Sequence, residues 1–110
     1  MKIGIIGSRK LVIENLQEYL PEGITEIVSG GAKGIDTCAK LYAKENNLKL
    51  TEFLPNYEKF GRVAPLKRNL QIIEYSDEVI AFWDGDSKGA QHVINTCSKI
   101  NKKITVYTNK

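Results

Sequence analysis

Short apolar runs alternate with longer stretches of helical hydrophobic spacing along the whole chain, and this alternation constrains the fold more than any other feature. The apolar runs that predict strands occupy residues 2–6, 25–28, 48–54, 78–83 and 104–107. The stretches with helical spacing lie between them, at residues 11–20, 35–43, 66–76 and 90–100. Such a pattern is typical of parallel strands joined by right-handed helical crossovers. We therefore predict an α/β fold: a three-layer, doubly wound (Rossmann-like) and mostly parallel sheet of five strands with four helices.

Two neighbouring stretches near the middle of the chain carry further predictions. Residues 48–54 alternate imperfectly between apolar and polar side chains, which favours an edge strand over a central one. Residues 55–65 are polar and aromatic without a clear period, so we predict an irregular loop there. Its aromatic residues Tyr57 and Phe60 could contact a partner subunit or cover a ligand, and the sequence leaves both open.

Length and composition place the chain among ordinary globular domains. Its 110 residues fit a single domain, 1–110, and 42% hydrophobic with 26% charged residues argues against disordered and fibrous classes. No apolar stretch is long enough to span a bilayer, and the apolar run near the N-terminus is too short for a signal-peptide core. Cys38 and Cys97 are too few and too far apart for a disulfide framework or a zinc site. We therefore expect a cytoplasmic protein.

The charge balance bears on the kind of partner. A formal net charge of +3, with 16 basic residues scattered along the chain, permits an anionic ligand without favouring nucleic acid. We therefore expect a small-molecule nucleotide ligand as partner and neither a membrane nor a nucleic acid. A sheet this small leaves apolar helix surface to cover, so we also expect a homo-oligomer, a dimer or larger.

In doubly wound sheets, ligands lie outside the carboxyl ends of the strands, so we expect the ligand-binding residues in the loops that follow the strands. The first loop contains Gly7, Ser8 and Arg9. A glycine lets the backbone approach a ligand closely, and the start of a following helix would present free N–H groups. Ser8 could donate to a phosphate or cap that helix, and Arg9 could bind an anion or lie free at the surface.

The second loop is the richest in glycine. Gly30, Gly31 and Gly34, with Ala32 among them, can form a nest of N–H groups for an anion, although tight turns and close packing also explain some of these glycines. The dinucleotide fingerprint fails because position 29 is serine and the loop follows the second strand, and the P-loop pattern is absent. Asp36 either complements the dipole of the following helix or accepts from ribose hydroxyls.

The third loop leads into a helix whose first turns carry Lys67 and Arg68, followed by Asn69. Because the helix dipole disfavours cations at this end, we predict that an anion or a nearby carboxylate compensates them, the alternative being a solvated basic face.

The fourth loop runs from the end of a strand through Trp83, Asp84, Ser87, Lys88 and Gly89 into the last helix. Trp83 could stack on a base or pack in the core. Asp84 could accept from ribose hydroxyls. It could also hold Mg²⁺ together with Asp86, but two carboxylates in such a loop are more often turn formers, so we expect no metal and no separate cofactor.

Taken together, these segments resemble the small SLOG-type Rossmannoid domains, in particular the stand-alone YspA-like group. The resemblance rests on residues 7–9, 29–36, 60–64, 68–69 and 83–89. It implies a nucleotide-derived ligand, a nucleoside phosphate or an ADP-ribose-like signal, held by a sensor or a sequestering protein. The segment 29–36 is also similar to a motif of the DprA family of DNA-processing proteins, whose domain is longer. The ligand-binding candidates are Gly7, Ser8, Arg9, Gly30, Gly31, Ala32, Gly34, Asp36, Arg68, Asn69, Trp83, Asp84, Ser87, Lys88 and Gly89.

The wider superfamily includes phosphoribohydrolases, which supplies an alternative: an enzyme that cleaves the N-glycosidic bond of a nucleoside phosphate. Those enzymes carry an arginine similar to Arg68 and a Gly-Thr-x-x-Glu element. The corresponding run here is Gly89 to Val93, so that valine stands where the resemblance implies the catalytic glutamate. Without that acid/base group we favour binding over catalysis, and the catalytic residues of the alternative are unknown.

Overall fold

A computed structural model describes residues 1–31 and 34–108. The strands are β1 (Lys2–Gly7), β2 (Glu26–Ser29), β3 (Lys49–Glu52), β4 (Glu78–Trp83) and β5 (Ile104–Thr108). The helices are α1 (Ile35–Glu45), α2 (Tyr57–Phe60), α3 (Ala64–Tyr75) and α4 (Lys88–Lys99). All strand pairs are parallel, in the order β3-β2-β1-β4-β5, which confirms the predicted fold class and the edge position of the third strand.

The first predicted helix, over residues 11–20, is wrong. Only a short 3-10 turn forms there, at Leu16–Tyr19. Of the apolar residues that suggested a helix, Leu16 is buried whereas Val12 is 71% exposed, so a full helix would have no continuous apolar face to bury. The β-branched pair Val12 and Ile13 and the following Asn15 also have low helix propensity.

The stretch predicted to be irregular, residues 55–65, is more ordered than expected. It contains α2, a 3-10 turn at Gly61–Val63 and the start of α3. Asn56 is the N-cap of α2, because its side-chain oxygen accepts from the backbone N–H of Lys59 at 3.1 Å. This one-turn helix is too short for a hydrophobic period to reveal, and only the capping asparagine marks it in the sequence.

The core divides into two layers because successive side chains of β1 point to opposite faces of the sheet. Ile3 and Ile5 pack with α1 and the 3-10 turn on one face, whereas Ile6 packs with α3 and α4 on the other. Apart from its ends, β1 is buried throughout, as expected for a central parallel strand covered on both faces. In the described ranges, 1–31 and 34–108, no helix has the length and hydropathy needed to cross a bilayer.

The strand order locates the crevice in which doubly wound folds bind ligands. From β1 the chain proceeds to β2 and β3 on one side, then returns to place β4 and β5 on the other side. The connections that leave β1 and β4 therefore diverge toward opposite faces, and a crevice opens at the carboxyl ends of these two strands.

At the opposite end of the sheet, a buried carboxylate ties β2 to its neighbours. One carboxylate oxygen of Glu26 accepts from the hydroxyls of Thr51 and Tyr75, each at 2.6 Å, and the ammonium of Lys49 lies 3.8 Å from the other oxygen. Burial alone would raise the pKa of Glu26, but the two hydrogen bonds and the nearby positive charges outweigh it. The pKa of Glu26 therefore lies below its ordinary value of 4.5.

This network predicts a pH-dependent contribution to stability. Because folding lowers the pKa of Glu26, its stabilisation is fully present above the pKa of the unfolded chain and is lost as the pH falls through the folded value. Glu26→Gln should therefore destabilise the protein at about pH 7, and its deficit should shrink at about pH 3. Urea unfolding of both proteins at the two pH values measures this difference. The exposed Glu74→Gln is the control, and a Glu26→Gln deficit that is equal at both pH values would contradict the prediction.

Candidate functional site

A cavity of about 370 Å³ lies in the crevice at the carboxyl ends of β1 and β4. Its walls come from the loops after β1, β2 and β4 and from the first turns of α1, α3 and α4. Most of the residues predicted to bind a ligand meet here, although they are distant in sequence. Those that line the cavity are Gly7, Ser8, Arg9, Gly30, Asp36, Arg68, Asn69, Asp84, Ser87 and Gly89.

The other candidates lie beside the cavity or outside the described chain. Gly31 and Gly34 adopt left-handed backbone conformations, with φ of 69° and 71°, that favour glycine, and neither lines the cavity. Trp83 is half-buried, does not line it, and donates its indole N–H to the carbonyl of Ser87 at 2.9 Å. Lys88 is exposed at the first turn of α4. Ala32 falls outside the described residues.

Arg68 is the only buried cation among the described residues that line the cavity. It lies one turn into α3, is only 9% exposed, and extends across the ends of the strands to the loop after β2. Its Nη1 donates to the carbonyl of Gly30 at 2.8 Å, and its Nε donates to the side-chain oxygen of Asn69 at 3.0 Å. The guanidinium is thereby fixed in the cavity wall by two uncharged acceptors.

The positive charge of Arg68 has no ion-pair partner within 4.0 Å in the described part of the chain. A guanidinium carries five N–H donors, so the two bonds to Gly30 and Asn69 leave three without a partner among the described residues. Burial lowers the pKa of Arg68, the charge of Asp36 opposes this effect and that of Arg9 adds to it. Since arginine stays protonated in proteins, the site holds a buried cation with donors to spare.

The loop after β1 contributes differently from the prediction. The chain forms no helix directly after β1, so the expected helix start with free N–H groups is absent there. Of the two roles left open for Ser8, capping such a helix therefore does not apply. Ser8 is buried, and its hydroxyl oxygen accepts from the backbone N–H of Asp84 at 3.2 Å. This bond joins the loops after β1 and β4 across the floor of the crevice.

In the loop after β4, Asp84 organises the start of α4. One carboxylate oxygen accepts from the backbone N–H groups of Asp86 and Ser87, at 2.9 and 2.8 Å. These two bonds hold the pKa of Asp84 below its usual range. The arrangement is that of a turn former, one of the three roles that the sequence left open for Asp84, beside ribose acceptor and Mg²⁺ ligand. Residues 1–31 and 34–108 contain no group of three or more His, Cys, Asp or Glu side chains suited to a metal ion.

The first turn of α4 faces the cavity with its positive dipole end. Ser87 caps this twelve-residue helix, accepting from the backbone N–H of Ala90 at 3.4 Å, and both residues line the cavity together with Gly89. Helix N-termini attract anions because their first N–H groups have no partner within the helix. The α4 terminus and Arg68 therefore present positive charge to the same space.

Several apolar residues that the sequence analysis did not predict also line the cavity: Ile6, Pro65, Leu66, Ile72 and Ala90. For two of them a signal was present. Pro65 and Ile72 lie three residues before and four residues after Arg68 on α3, so helical spacing places all three on one face. Val93, which stands at the position of the implied catalytic glutamate, lines the cavity and is almost fully buried.

Gly30 allows Arg68 to lie across the end of β2. A Cβ atom at this position would lie 2.8 Å from Cζ of Arg68 and closer still to Nη1. The glycine is therefore required by the close approach of a buried side chain.

This contact predicts a coupling between the two positions. Gly30→Ala should displace the guanidinium and destabilise the protein by about 1–3 kcal/mol, as overpacking in a dense interior does. In an Arg68→Ala background the added methyl group has no guanidinium to displace, so Gly30→Ala should lower the free energy of unfolding much less. A double-mutant cycle measured by urea unfolding tests this coupling. Strictly additive effects of the two substitutions would show that the contact does not exist.

One comparison with known proteins returns a match. A family model described as YspA, cpYpsA-related SLOG family matches residues 5–60, slightly more than half of the chain. The matched segment contains the loops after β1 and β2 and ends before Arg68 and the loop after β4. No curated protein and no solved structure matches the chain.

Proposed function

The chain belongs to the YspA, cpYpsA-related SLOG family, and on that premise we propose that it binds an anionic, nucleotide-derived ligand in the cavity at the ends of β1 and β4. The ligand class is a nucleoside phosphate or an ADP-ribose-like molecule, and the protein acts as a sensor or as a sequestering protein. Family membership supports a nucleotide-related domain, and the chemistry of the cavity supports the choice of an anion.

The buried guanidinium of Arg68 is the observation that carries the proposal. A cation removed from water costs free energy unless it is paired and hydrogen-bonded. Gly30 and Asn69 supply hydrogen bonds but no negative charge, and the remaining donors of Arg68 belong to a residue that lines the cavity. A phosphate supplies both a negative charge in direct contact and acceptors that match the planar guanidinium.

The surrounding residues suggest how the remainder of such a ligand is held. The N-terminal turn of α4 and the side chain of Arg9 offer further positive charge to a phosphate. The carboxylates of Asp36 and Asp84 line the same cavity and can accept from ribose hydroxyls. The apolar wall formed by Ile72 and its neighbours suits the face of a base.

The buried Val93 favours binding over N-glycosidic cleavage. An acid/base group has to reach the proton that it transfers, and valine has no proton to exchange. Since this side chain lines the cavity where the phosphoribohydrolase motif has its glutamate, the proposed ligand remains intact after it binds.

The proposal predicts the effect of two substitutions at neighbouring positions. Arg68→Ala should weaken the binding of AMP or ADP-ribose by about tenfold or more, since hydrogen bonds to a charged group contribute about 1.5–3 kcal/mol. Asn69→Asp should also weaken nucleotide binding, although Arg68 is still present. The new carboxylate lies next to Nε of Arg68 and neutralises the charge that would otherwise attract the phosphate. Isothermal titration calorimetry with both nucleotides measures these affinities.

Two controls separate binding from folding. Lys99→Ala, at the exposed end of α4 away from the cavity, should bind as the unmodified protein does. Asn69→Asp should unfold at a urea concentration no lower than the unmodified protein, because it adds an ion pair to a buried cation. If Arg68→Ala is folded and binds both nucleotides with undiminished affinity, the proposed site is wrong.

A further inference from the structure

An acidic groove lies on the α1 face of the sheet, away from the candidate site. It runs between the segment around the 3-10 turn and α1, has a volume of about 750 Å³, and is lined by Val12 and Leu41, whose side chains are 71% and 54% exposed. Glu14, Glu18 and Glu45 surround these apolar side chains, and none of the described lining residues is basic. We refer to these five residues as the acidic groove.

A basic surface of matching character lies on α2, the 3-10 turn that follows it and the start of α3. Its apolar members, Tyr57, Val63 and Leu66, are between 38% and 57% exposed. The ammonium groups of Lys59 and Lys67 lie 5.2 and 5.8 Å from the centre of the Phe60 ring, which places two cations around one aromatic side chain. Exposed apolar side chains with a charged rim are typical of protein interaction sites. We call these six residues the basic surface.

We propose that the acidic groove of one copy of this chain receives the basic surface of a second copy. Each surface combines exposed apolar side chains with an excess of one charge: negative in the acidic groove, and positive on the basic surface, where Arg62 adds to the two lysines and Glu58 offsets one of them. Complementary potentials of this kind steer association and determine its register. The chain thus carries both halves of one interface.

The two surfaces cannot meet within one molecule. The 3-10 turn and α1 pack on one face of the sheet, with Ile3 and Ile5, whereas α3 packs on the other, with Ile6. The contact between copies is therefore head-to-tail: it joins different surfaces and leaves one of each free at the ends. Such contacts close into rings or continue as filaments. Because Leu66 also lines the cavity, the docked neighbour would border the candidate ligand site.

Charge reversal on each surface provides the test. The first variant, Lys59→Glu with Lys67→Glu, disables the basic surface, and the second, Glu14→Lys with Glu45→Lys, disables the acidic groove. All four side chains are exposed, so both variants should fold. Sedimentation velocity over a concentration series should show that the unmodified protein self-associates. Each variant alone should associate on the order of a hundredfold more weakly, since like charges would then face each other.

An equimolar mixture of the two variants gives the decisive result. Each retains one intact surface, and their disabled surfaces also carry opposite charges, so both contacts between the two variants are attractive again. At low salt the mixture should therefore recover the self-association that neither variant shows alone, and high salt should weaken this recovery because it screens the charges. Lys99→Glu, at the exposed end of α4, should associate as the unmodified protein does.

Three results would overturn the proposal. The unmodified protein could be monomeric at all concentrations, which would show that the acidic groove does not bind a second copy of the chain. One variant could self-associate normally while the other does not, which would indicate a symmetric contact through a single surface. The mixture could also fail to recover self-association at low salt, which would show that the two surfaces do not contact each other.

Discussion

The hydrogen bond from Arg68 to the carbonyl of Gly30 joins two elements that would otherwise be independent at the open end of the sheet. It spans from α3 to the loop after β2, and both Arg68 and Gly30 line the cavity in the crevice that the strand order creates. The bond requires a glycine at position 30, because a side chain there would occupy the space of the guanidinium. It also determines where the positive charge lies, and the chemistry proposed for the cavity depends on that position.

An arginine held only by neutral acceptors differs from one held in a salt bridge. A carboxylate partner would cancel the charge of the guanidinium and leave the cavity close to neutral at that point. The carbonyl of Gly30 and the amide of Asn69 orient the group without cancelling its charge. Burying this cation without a counter-charge in contact costs free energy, and a bound anion offsets that cost. Ligand binding should therefore raise the free energy of unfolding of the protein.

The strands could be predicted because each is a short apolar or alternating run, and the central ones, β1, β2 and β4, are buried on both faces. The helix predicted over residues 11–20 failed because spacing alone does not show whether a neighbouring surface covers the apolar face, and Val12 lies exposed. The short helix α2 was not predicted because a single turn is too short to show a hydrophobic period. Local patterns therefore predict elements well only where burial and pattern coincide.

For the candidate site, the sequence indicated the loops but not the contacts between them. Glycine density and the positions of strand ends suffice to predict that Gly7, Gly30 and Gly89 line one crevice, as they do. That Ser8 accepts from Asp84 rather than capping a helix depends on the pairing of β1 with β4, which is a long-range property. Arg68 was a candidate in the sequence because the helix dipole disfavours a cation there and because the resemblance implies an arginine at this position.

If the cavity holds an intact nucleotide-derived anion, the bound molecule can be recovered and identified. The purified protein is incubated with a panel of adenine and NAD-derived nucleotides, washed and denatured by heat, and the released compounds are identified by liquid chromatography and mass spectrometry. One intact nucleotide per chain is expected. Release of a free base with the matching ribose phosphate, or the retention of no nucleotide at all, would contradict it.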